Sequence, residues 1–446
     1  MEKTIENVWT KSKLLIKALI IGAIVLVLQI PTYYIHNLIE EREVRQKEAT
    51  AEVSSKWAGK QNITGPVLVL PYWEAAGDTS YTKSKNKQFA YFLPDELNIT
   101  ADVSPQEKYR GIYKVMLYSA RIKMFGAFSP MLHEKLRIPA SDIIWNEAFV
   151  KLHLSDVKGL NEQMNITWNG TMLPLTNTSE ADTLVEESLY VTLPLTNESS
   201  LSNMNFSTSF SINGSEQLLF TPVGKSTAVT IRSGWPHPSF TGNTLPQTTQ
   251  VKDSGFIANW KSLSHKRKFT QQWKGNTYDV YKSSATHLMT ANLANAAFGA
   301  NLFIPVNGYQ KTMRSVKYAA LCILLTFAAF FILETTNKRS VHPFQYGLIG
   351  IALVLFYTLL LSFSEYIGFN LSYAIASLLT IGLIGWFAKG LLGSSKLTMM
   401  LAIILVLLYT YVFTILQLQD YSLILGSLGL FLTLAVIMYF SKKAQW

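Results

Sequence analysis

Residues 344–363 read FQYGLIGIALVLFYTLLLSF and contain no charged side chain. An α-helix needs about 20 apolar residues to cross the hydrocarbon core of a bilayer, so this stretch predicts a transmembrane helix. Five further apolar runs have a similar length: Ala18–Ile35, Val316–Leu333, Leu371–Ala388, Leu397–Leu416 and Tyr421–Phe440. We therefore expect an integral membrane protein with one N-terminal transmembrane helix and a C-terminal bundle of five more.

The N-terminal run has the features of an uncleaved signal anchor. It is preceded by Lys11, Lys13 and Lys17, and its end reads PTYY at residues 31–34. A signal-peptidase site would instead show small residues in an A-x-A-like pattern. We expect Lys17 to extend back to the cytoplasmic headgroups, because a long lysine side chain can reach the membrane surface.

The short loops indicate the orientation. Lys and Arg favour the cytoplasmic side of such loops. The basic residues on one side of the membrane are Lys338, Arg339, Lys389, Lys396 and, in the C-terminal tail, Lys442 and Lys443. The loops Ser364–Asn370 and Gln417–Asp420, on the other side, contain no Lys or Arg. The sequence therefore predicts both termini in the cytoplasm and residues of about 36–315 outside.

The region between the first and second helices predicts a mostly-β extracytoplasmic domain. Phe206, Phe210 and Ile212 alternate with serines, and this period of two is typical of strands with one buried face. We expect a sandwich or two packed sheets, with one helix over Ser284–Ala297. The predicted domains are a cytoplasmic N-terminus and anchor (1–35), a helical stalk (36–60), the β-rich periplasmic domain (61–315), the five-helix bundle (316–440) and a cytoplasmic tail (441–446).

Composition and motifs argue against several functions. The net charge of +10 would suit a nucleic-acid binder, but the basic residues are scattered, so we expect the lipid bilayer and not nucleic acid as the partner. A single cysteine, Cys322, excludes a disulfide within the β domain. His133-Glu134 begins like a metalloprotease helix, but Arg137 replaces the second histidine. Without a Walker, G-x-S-x-G or C-x-x-C motif, we expect no catalytic residues, no metal and no cofactor.

One segment of the β domain is a candidate recognition loop, formed by Trp235, Pro236, His237, Pro238 and Phe240. Prolines on both sides of His237 restrict the backbone, and a conformationally restricted aromatic loop is well suited to binding a partner. The alternative interpretation is a rigid bend between strands, with Trp235 in the core.

The bundle contains a second candidate feature, an ion pair between Lys317 and Glu365 at the outer membrane face. Glu365 follows an apolar run, where an unpaired carboxylate is unfavourable. The alternative is that Glu365 simply faces water and headgroups. Polar residues at 409–414 (YTYVFT) either line a polar cleft or form hydrogen bonds between helices.

The chain resembles the CreD family of inner-membrane proteins, named for cell-envelope integrity. The resemblance rests on several motifs in one order: WAG at 57–59, TGPVLVLPY at 64–72, RGIY at 110–113, LSDVKGL at 154–160, SGWPHPSFTG at 233–242, PVNGYQK at 305–311, HPFQY at 342–346 and LSFSEYIGF at 361–369. Two positions depart from the family pattern, Gly234 and Asn307, where acidic residues are common. The resemblance implies an envelope role linked to a two-component regulatory system, and no established catalytic chemistry.

Two classes of function are compatible with these features. In the first, the periplasmic domain senses or binds an envelope protein or lipid, and the bundle anchors it. In the second, the protein is a transporter or lipid-handling protein with a pathway through the bundle. A polar cavity deep in the bundle would favour the second class, and a solid bundle with a grooved β domain would favour the first.

Overall fold

The structure is a computed structural model. It describes residues 16–75, 85–130, 132–177, 188–201, 204–275, 277–278, 293–302, 308–337, 341–418, 424–429, 431, 435 and 438. The chain divides into two compact units. One combines residues 1–47 with 306–446 and is helical, and the other comprises residues 48–305 and is mostly β.

The described residues of the β unit form two eight-stranded sheets. The strands are β1 (Gln61–Ala75), β2 (Lys85–Phe92), β3 (Glu96–Arg110), β4 (Tyr113–Ala127), β5 (Phe149–Leu154), β6 (Asn165–Trp168), β7 (Thr171–Pro174), β8 (Ser188–Thr192), β9 (Asn205–Ser215), β10 (Gln217–Thr221), β11 (Ser226–Ser233), β12 (Pro238–Gly242), β13 (Thr248–Lys252), β14 (Gly255–Leu263), β15 (Gln272–Lys274) and β16 (Phe298–Leu302). The β-rich character expected from the alternating pattern is confirmed, and the serines of β9 lie on the face opposite its buried Phe206, Phe210 and Ile212.

The first sheet has the order β12-β16-β10-β1-β2-β15, with β5 also paired to β1 and β8 to β5. The second sheet has the order β13-β14-β11-β3-β4-β9-β6-β7. Two pairs are parallel, β1 with β10 and β3 with β11, and the other ladders are antiparallel. Since β3 and β11 are joined through a long intervening segment, their pairing brings distant parts of the sequence together.

The buried faces of both sheets meet in one hydrophobic core. Trp260 of β14 stacks on Phe298 of β16, with ring centroids 5.8 Å apart, and this contact joins the second sheet to the first. Phe210 and Phe220 are also fully buried in this core. Burying a large apolar side chain contributes about 1.5–3 kcal/mol relative to exposure, so the alternating apolar residues hold the two sheets together.

The helical unit is formed by α1 (Ile16–Trp57), α2 (Gly308–Lys317), α3 (Ala319–Thr336), α4 (Pro343–Ile367), α5 (Phe369–Leu392) and α6 (Ser395–Gln417). The helix α1 continues without interruption past residue 47 into the β unit. Among the described residues, four helices, α1, α4, α5 and α6, are long and apolar enough to cross a membrane, and α2 with α3 would make a fifth span bent by 46°. The protein is therefore a membrane protein, with four or five such helices in the part of the chain that the structure describes.

Two predicted helices fall largely outside the described residues. Of the run Tyr421–Phe440, residues 424–429 are described and are helical. Of the stretch Ser284–Ala297, only residues 293–297 are described, and Leu293–Ala296 forms a single 3₁₀ turn.

The connections from α3 to α4, from α4 to α5 and from α5 to α6 are short, and their residues explain where α4 starts and where α5 ends. His342 caps α4: its Nδ1 accepts from the backbone N–H of Phe344 at 3.2 Å, and its own N–H donates to Gln345 at 2.9 Å. Gly393 ends α5 in the left-handed conformation, with φ of 59°, which costs glycine little. These short connections make α4, α5 and α6 successive antiparallel helices.

Candidate functional site

The candidate recognition loop follows the end of β11 and leads into β12. The indole N–H of Trp235 donates to the carbonyl of His237 at 3.0 Å, and the two rings meet edge to face at 6.2 Å. The backbone N–H of Trp235 also donates to Ser233 Oγ at 3.2 Å. These bonds close the tight turn that Pro236 and Pro238 favour, so the loop is held by its own residues.

The side chains of this loop differ in exposure. His237 is exposed, whereas Trp235 is half-buried and packs against the core. Phe240, also half-buried, contacts Phe256 at 5.6 Å and Trp260 at 5.7 Å between ring centroids. Phe240 therefore anchors β12 to the core, and the part of the loop that faces solvent is centred on His237.

A groove lies next to the start of the loop, between the middle of β3 and the ends of β11, β13 and β14. Its volume is about 430 Å³, and its polar and charged lining residues are Asp102, Ser104, Arg232, Ser233, Gln250, Lys252 and Ser254. The groove forms because β11 ends at Ser233, opposite Val103, while β3 continues to Arg110. The alternating pattern identifies strand faces, but it does not show where one strand stops beside a longer neighbour.

The charges of the groove are mixed. Arg232 Nη1 lies 3.5 Å from Asp102 Oδ1, and both side chains are 53 % exposed, so the pair contributes little to stability. Gly234 also lines the groove, and a Cβ at this position would have no atom within 4 Å. Position 234 therefore has room for a Cβ without steric conflict.

A second depression, of about 320 Å³, lies where the end of α1 meets the β3–β4 hairpin. Glu52 accepts from Arg110 Nη2 at 2.9 Å and Nε at 3.2 Å, and from Lys56 at 2.7 Å. These two cations lower the pKa of the Glu52 carboxyl, with Lys56 the larger influence. The contacts attach the helix end to the hairpin tip and belong to the structure of the β unit.

Two motifs that support the family resemblance meet at the start of β1. Asp156 Oδ2 accepts from the backbone N–H of Gly59 at 2.8 Å, and its Oδ1 accepts from Lys158 N at 3.0 Å. The amide of Gln61 donates to the carbonyls of Asp156 and Asn213 at 2.9 and 3.0 Å. This arrangement satisfies backbone groups where β1 begins, so these motif residues have a structural role.

In the helical unit, Glu334 is the most buried acidic side chain described. It accepts hydrogen bonds from Lys17, from the Tyr346 hydroxyl at 2.7 Å and from the Val341 N–H at 2.8 Å. Lys17 also donates to the Val341 carbonyl at 2.6 Å. Lys17 therefore has its partners within the helical unit, at the end of α3. A carboxylate in the last turn of a helix is unfavourable next to the helix dipole, and this was the signal that Glu334 needs a cationic partner.

The expected ion pair between Lys317 and Glu365 is not formed. Glu365 Oε1 accepts from the Tyr309 hydroxyl at 3.0 Å and lies 3.8 Å from Arg42 Nε, while Lys317 is exposed. The helix α2, which contains Tyr309 and Lys317, starts at Gly308, before the apolar run that the sequence predicts from Val316. Lys317 consequently lies about 12 Å further along α2 than Tyr309, because a helix rises about 1.5 Å per residue.

The polar residues at 409–414 form hydrogen bonds with backbone carbonyls. Tyr411 donates to Leu425, and Thr414 donates to Thr410 at 2.9 Å. The carbonyl of Tyr409 accepts from Tyr373 at 2.8 Å. These contacts agree with the hydrogen-bonding alternative for this segment. Within the part of the chain that the structure describes, no three His, Cys, Asp or Glu side chains are grouped to hold a metal ion.

Comparisons with known proteins identify the family. A family model described as "Inner membrane protein CreD" matches residues 13–446. The inner membrane protein CreD of Escherichia coli (strain K12) is 29% identical over 442 residues, which cover 98% of this chain and 94% of that protein.

Comparison with solved structures gives only a weak likeness. An M1 zinc metallopeptidase from Deinococcus radiodurans is 10% identical over 38% of each chain, with a TM-score of 0.19. A form of the Deinococcus peptidase bound to a tripeptide substrate is 12% identical over 38% of this chain and 39% of that one, with a TM-score of 0.21. Likeness at this level supports no argument about function. The family match covers nearly the whole sequence, and the chain belongs to the CreD family of inner membrane proteins.

Proposed function

We propose that this protein supports cell-envelope integrity or the response to envelope stress by binding an envelope component on its β unit. The observation on which the proposal depends is the groove lined by Ser233 and Gly234, the two residues that lead into the loop with the exposed His237. The groove is open to solvent and lined by polar and charged side chains next to a loop whose shape is set by its own hydrogen bonds. Such a preformed surface binds a partner with little ordering cost.

The proposed topology has six transmembrane helices, both termini in the cytoplasm and the β unit in the periplasm. Its support comes from the helical unit alone. Gln417 donates to Asn370 at 2.6 Å and accepts from Lys311 at 3.0 Å, so the start of α2 lies at the same end of the bundle as the end of α6. Arg42 of α1 lies at that end too, near Glu365. Both connections to the β unit therefore leave from one end, and Lys389 and Lys396 lie at the other.

A binding role is favoured over catalysis and over transport. The Escherichia coli relative is named an inner membrane protein, a description that assigns no reaction. The polar groups that would suit a transport pathway, such as Tyr411 and Thr414, are engaged with backbone carbonyls. The proposed domain boundaries are an anchor ending near residue 35, a helical stalk to residue 60, a periplasmic domain to about residue 305, after which the chain returns to the helical unit, and a bundle to residue 440.

In-cell photocrosslinking tests the proposal. A photoreactive amino acid at His237 would report on the loop, and one at the exposed Met172 would serve as the control, because β7 lies at the opposite edge of the second sheet from β13. We expect a discrete crosslinked envelope component from position 237 that is absent from position 172. Identical products from both positions, or none from position 237, would contradict a binding role for the groove.

A further inference from the structure

The helix α2 combines a buried face with a basic face. Tyr309, Thr312, Ser315 and Val316 are buried in the helical unit. Lys311 and Arg314 are half-buried, and Lys317 is exposed. The helix bends by 46° into the apolar α3. An amphipathic helix joined at an angle to a transmembrane helix has the properties of a segment that lies obliquely at the membrane surface.

The basic residues of α2 form no ion pair with the acidic side chains that the structure describes. Lys311 donates to Gln417 at 3.0 Å and lies 5.4 Å from the centre of the Phe369 ring. Arg314 and Lys317 have no carboxylate within 4 Å among the described residues. The nearby acid at this end of the bundle, Glu365, is already engaged by Tyr309 and Arg42. Three like charges at three-residue spacing repel one another on a helix, so an external anion would stabilise them.

The surroundings of α2 indicate the membrane interface. Tyr366, at the end of α4 next to Glu365, is 76 % exposed, and exposed tyrosines mark the headgroup level of membrane proteins. If α3 follows the membrane normal, the 46° tilt places Lys317 about 8 Å deeper than Tyr309. A cation at that depth is in reach of headgroup phosphates but largely removed from bulk water.

From this geometry we infer that Arg314 and Lys317 bind the headgroup phosphate of an anionic phospholipid beside the bend between α2 and α3. A phosphate group supplies several acceptor oxygens, and the guanidinium of Arg314 can bond two of them at once. Lys317 adds a second charge one turn away. In the proposed topology this is the outer leaflet of the inner membrane. There, these cations do not act as orientation signals, because such signals lie on the cytoplasmic side.

Lipid binding to the full-length protein tests the inference. Dioleoylphosphatidylglycerol would be added to the protein in a neutral detergent and counted by native mass spectrometry, with dioleoylphosphatidylcholine as the neutral lipid. The variant R314Q/K317Q should raise the Kd for phosphatidylglycerol by roughly 25-fold, because each cation near an anionic surface contributes about five-fold. The control K389Q/K396Q removes two exposed lysines at the other end of the bundle and should leave that Kd unchanged.

Two further comparisons distinguish a loss of charge from a loss of folding, and binding of the lipid from binding of free phosphate. R314K/K317R keeps both charges and should bind within about three-fold of the parent, and the single change K317Q at an exposed position should cost about five-fold even if the double variant folds poorly. Inorganic phosphate at the same concentration as the lipid should not displace it. Equal binding by R314Q/K317Q and the parent, an equal loss in the control, equal binding of phosphatidylcholine, or displacement by inorganic phosphate would each overturn the inference.

Discussion

The hydroxyl of Tyr346 donates a 2.7 Å hydrogen bond to Oε2 of Glu334, and the other carboxylate oxygen accepts from Lys17. Glu334 belongs to α3, Tyr346 to α4 and Lys17 to α1, so one carboxylate joins two consecutive helices to the N-terminal helix, which is far from them in sequence. The side chains of Lys17 and Glu334 are 16% and 4% exposed. Removing either partner of an ion pair this deeply buried is strongly destabilising, because the remaining charge is left without solvation.

We expect Glu334→Ala to destabilise the helical unit by about 3–5 kcal/mol, since Lys17 would remain as an uncompensated buried charge. The double change K17M/E334Q should be less destabilising than the sum of its two single changes. Thermal unfolding of the purified protein in detergent measures both effects. Glu41→Gln is the matched control, because Glu41 forms an exposed pair with Arg45 and should change stability by no more than about 0.5 kcal/mol. Additive effects of the two single changes would contradict the pairing.

Tyr309, and not Lys317, is expected to hold Glu365. Removing a hydrogen bond to a charged group costs about 1.5–3 kcal/mol, so Tyr309→Phe should lower the thermal stability clearly. Arg42→Gln should cost only about 0–1 kcal/mol, because Arg42 is 38% exposed and its Nε is 3.8 Å away. Lys317→Gln should be silent in the absence of added lipid. A loss for Lys317→Gln as large as that for Tyr309→Phe would restore the original pairing hypothesis.

Accessibility of single cysteines tests the proposed topology. In a Cys322→Ala background, Ser209→Cys lies on the exposed face of β9, and Ser395→Cys lies exposed between α5 and α6. With the outer membrane opened, an impermeant thiol reagent should label position 209 on intact cells and position 395 only after the inner membrane is permeabilised. The reverse labelling pattern would place the β unit in the cytoplasm and refute the proposed topology.

Acidification should weaken the contact between α1 and the β3–β4 hairpin. Lys56 and Arg110 lower the Glu52 pKa below its ordinary value of 4.5, so the pair stabilises the folded state above that pH. The contribution is lost as the pH falls through the lowered folded pKa. Comparing unfolding of the parent and Glu52→Gln from about pH 6 to about pH 3 should show a small difference that disappears at the acidic end. A difference that grows on acidification would have the wrong sign for this mechanism.

Position 234 should accept a side chain, whereas position 126 should not. A Cβ at Gly234 meets no atom within 4 Å, but a Cβ at Gly126 would lie 1.9 Å from the Glu96 carbonyl oxygen. We expect Gly234→Asp to change stability by less than about 0.5 kcal/mol and Gly126→Ala to cost about 1–3 kcal/mol or more. Thermal unfolding of the two variants measures this contrast. If Gly234→Asp were the more harmful change, the groove would be narrower than the structure shows.

Local patterns in the sequence were sufficient for the class of the protein. A run of about 20 uncharged apolar residues has few structural solutions other than a membrane-spanning helix, so residues 344–363 predicted α4 closely. Strict alternation likewise identified β9, because the side-chain period of a strand is two. The motifs near 57–72 and 233–242 were enough to indicate the CreD family, which the comparisons confirmed.

Tertiary structure alone decided which charged residues meet. Lys17 and Glu334 are 317 positions apart, and the start of α2 at Gly308 gave Glu365 the partners Tyr309 and Arg42 in place of Lys317. The groove lined by Ser233 and Gly234 likewise depends on the parallel pairing of β11 with β3 and on the early end of β11. Periodicity reports which face of an element is buried, since burial follows local geometry. It contains no information on which distant element covers that face, because that choice is made by packing across the whole chain.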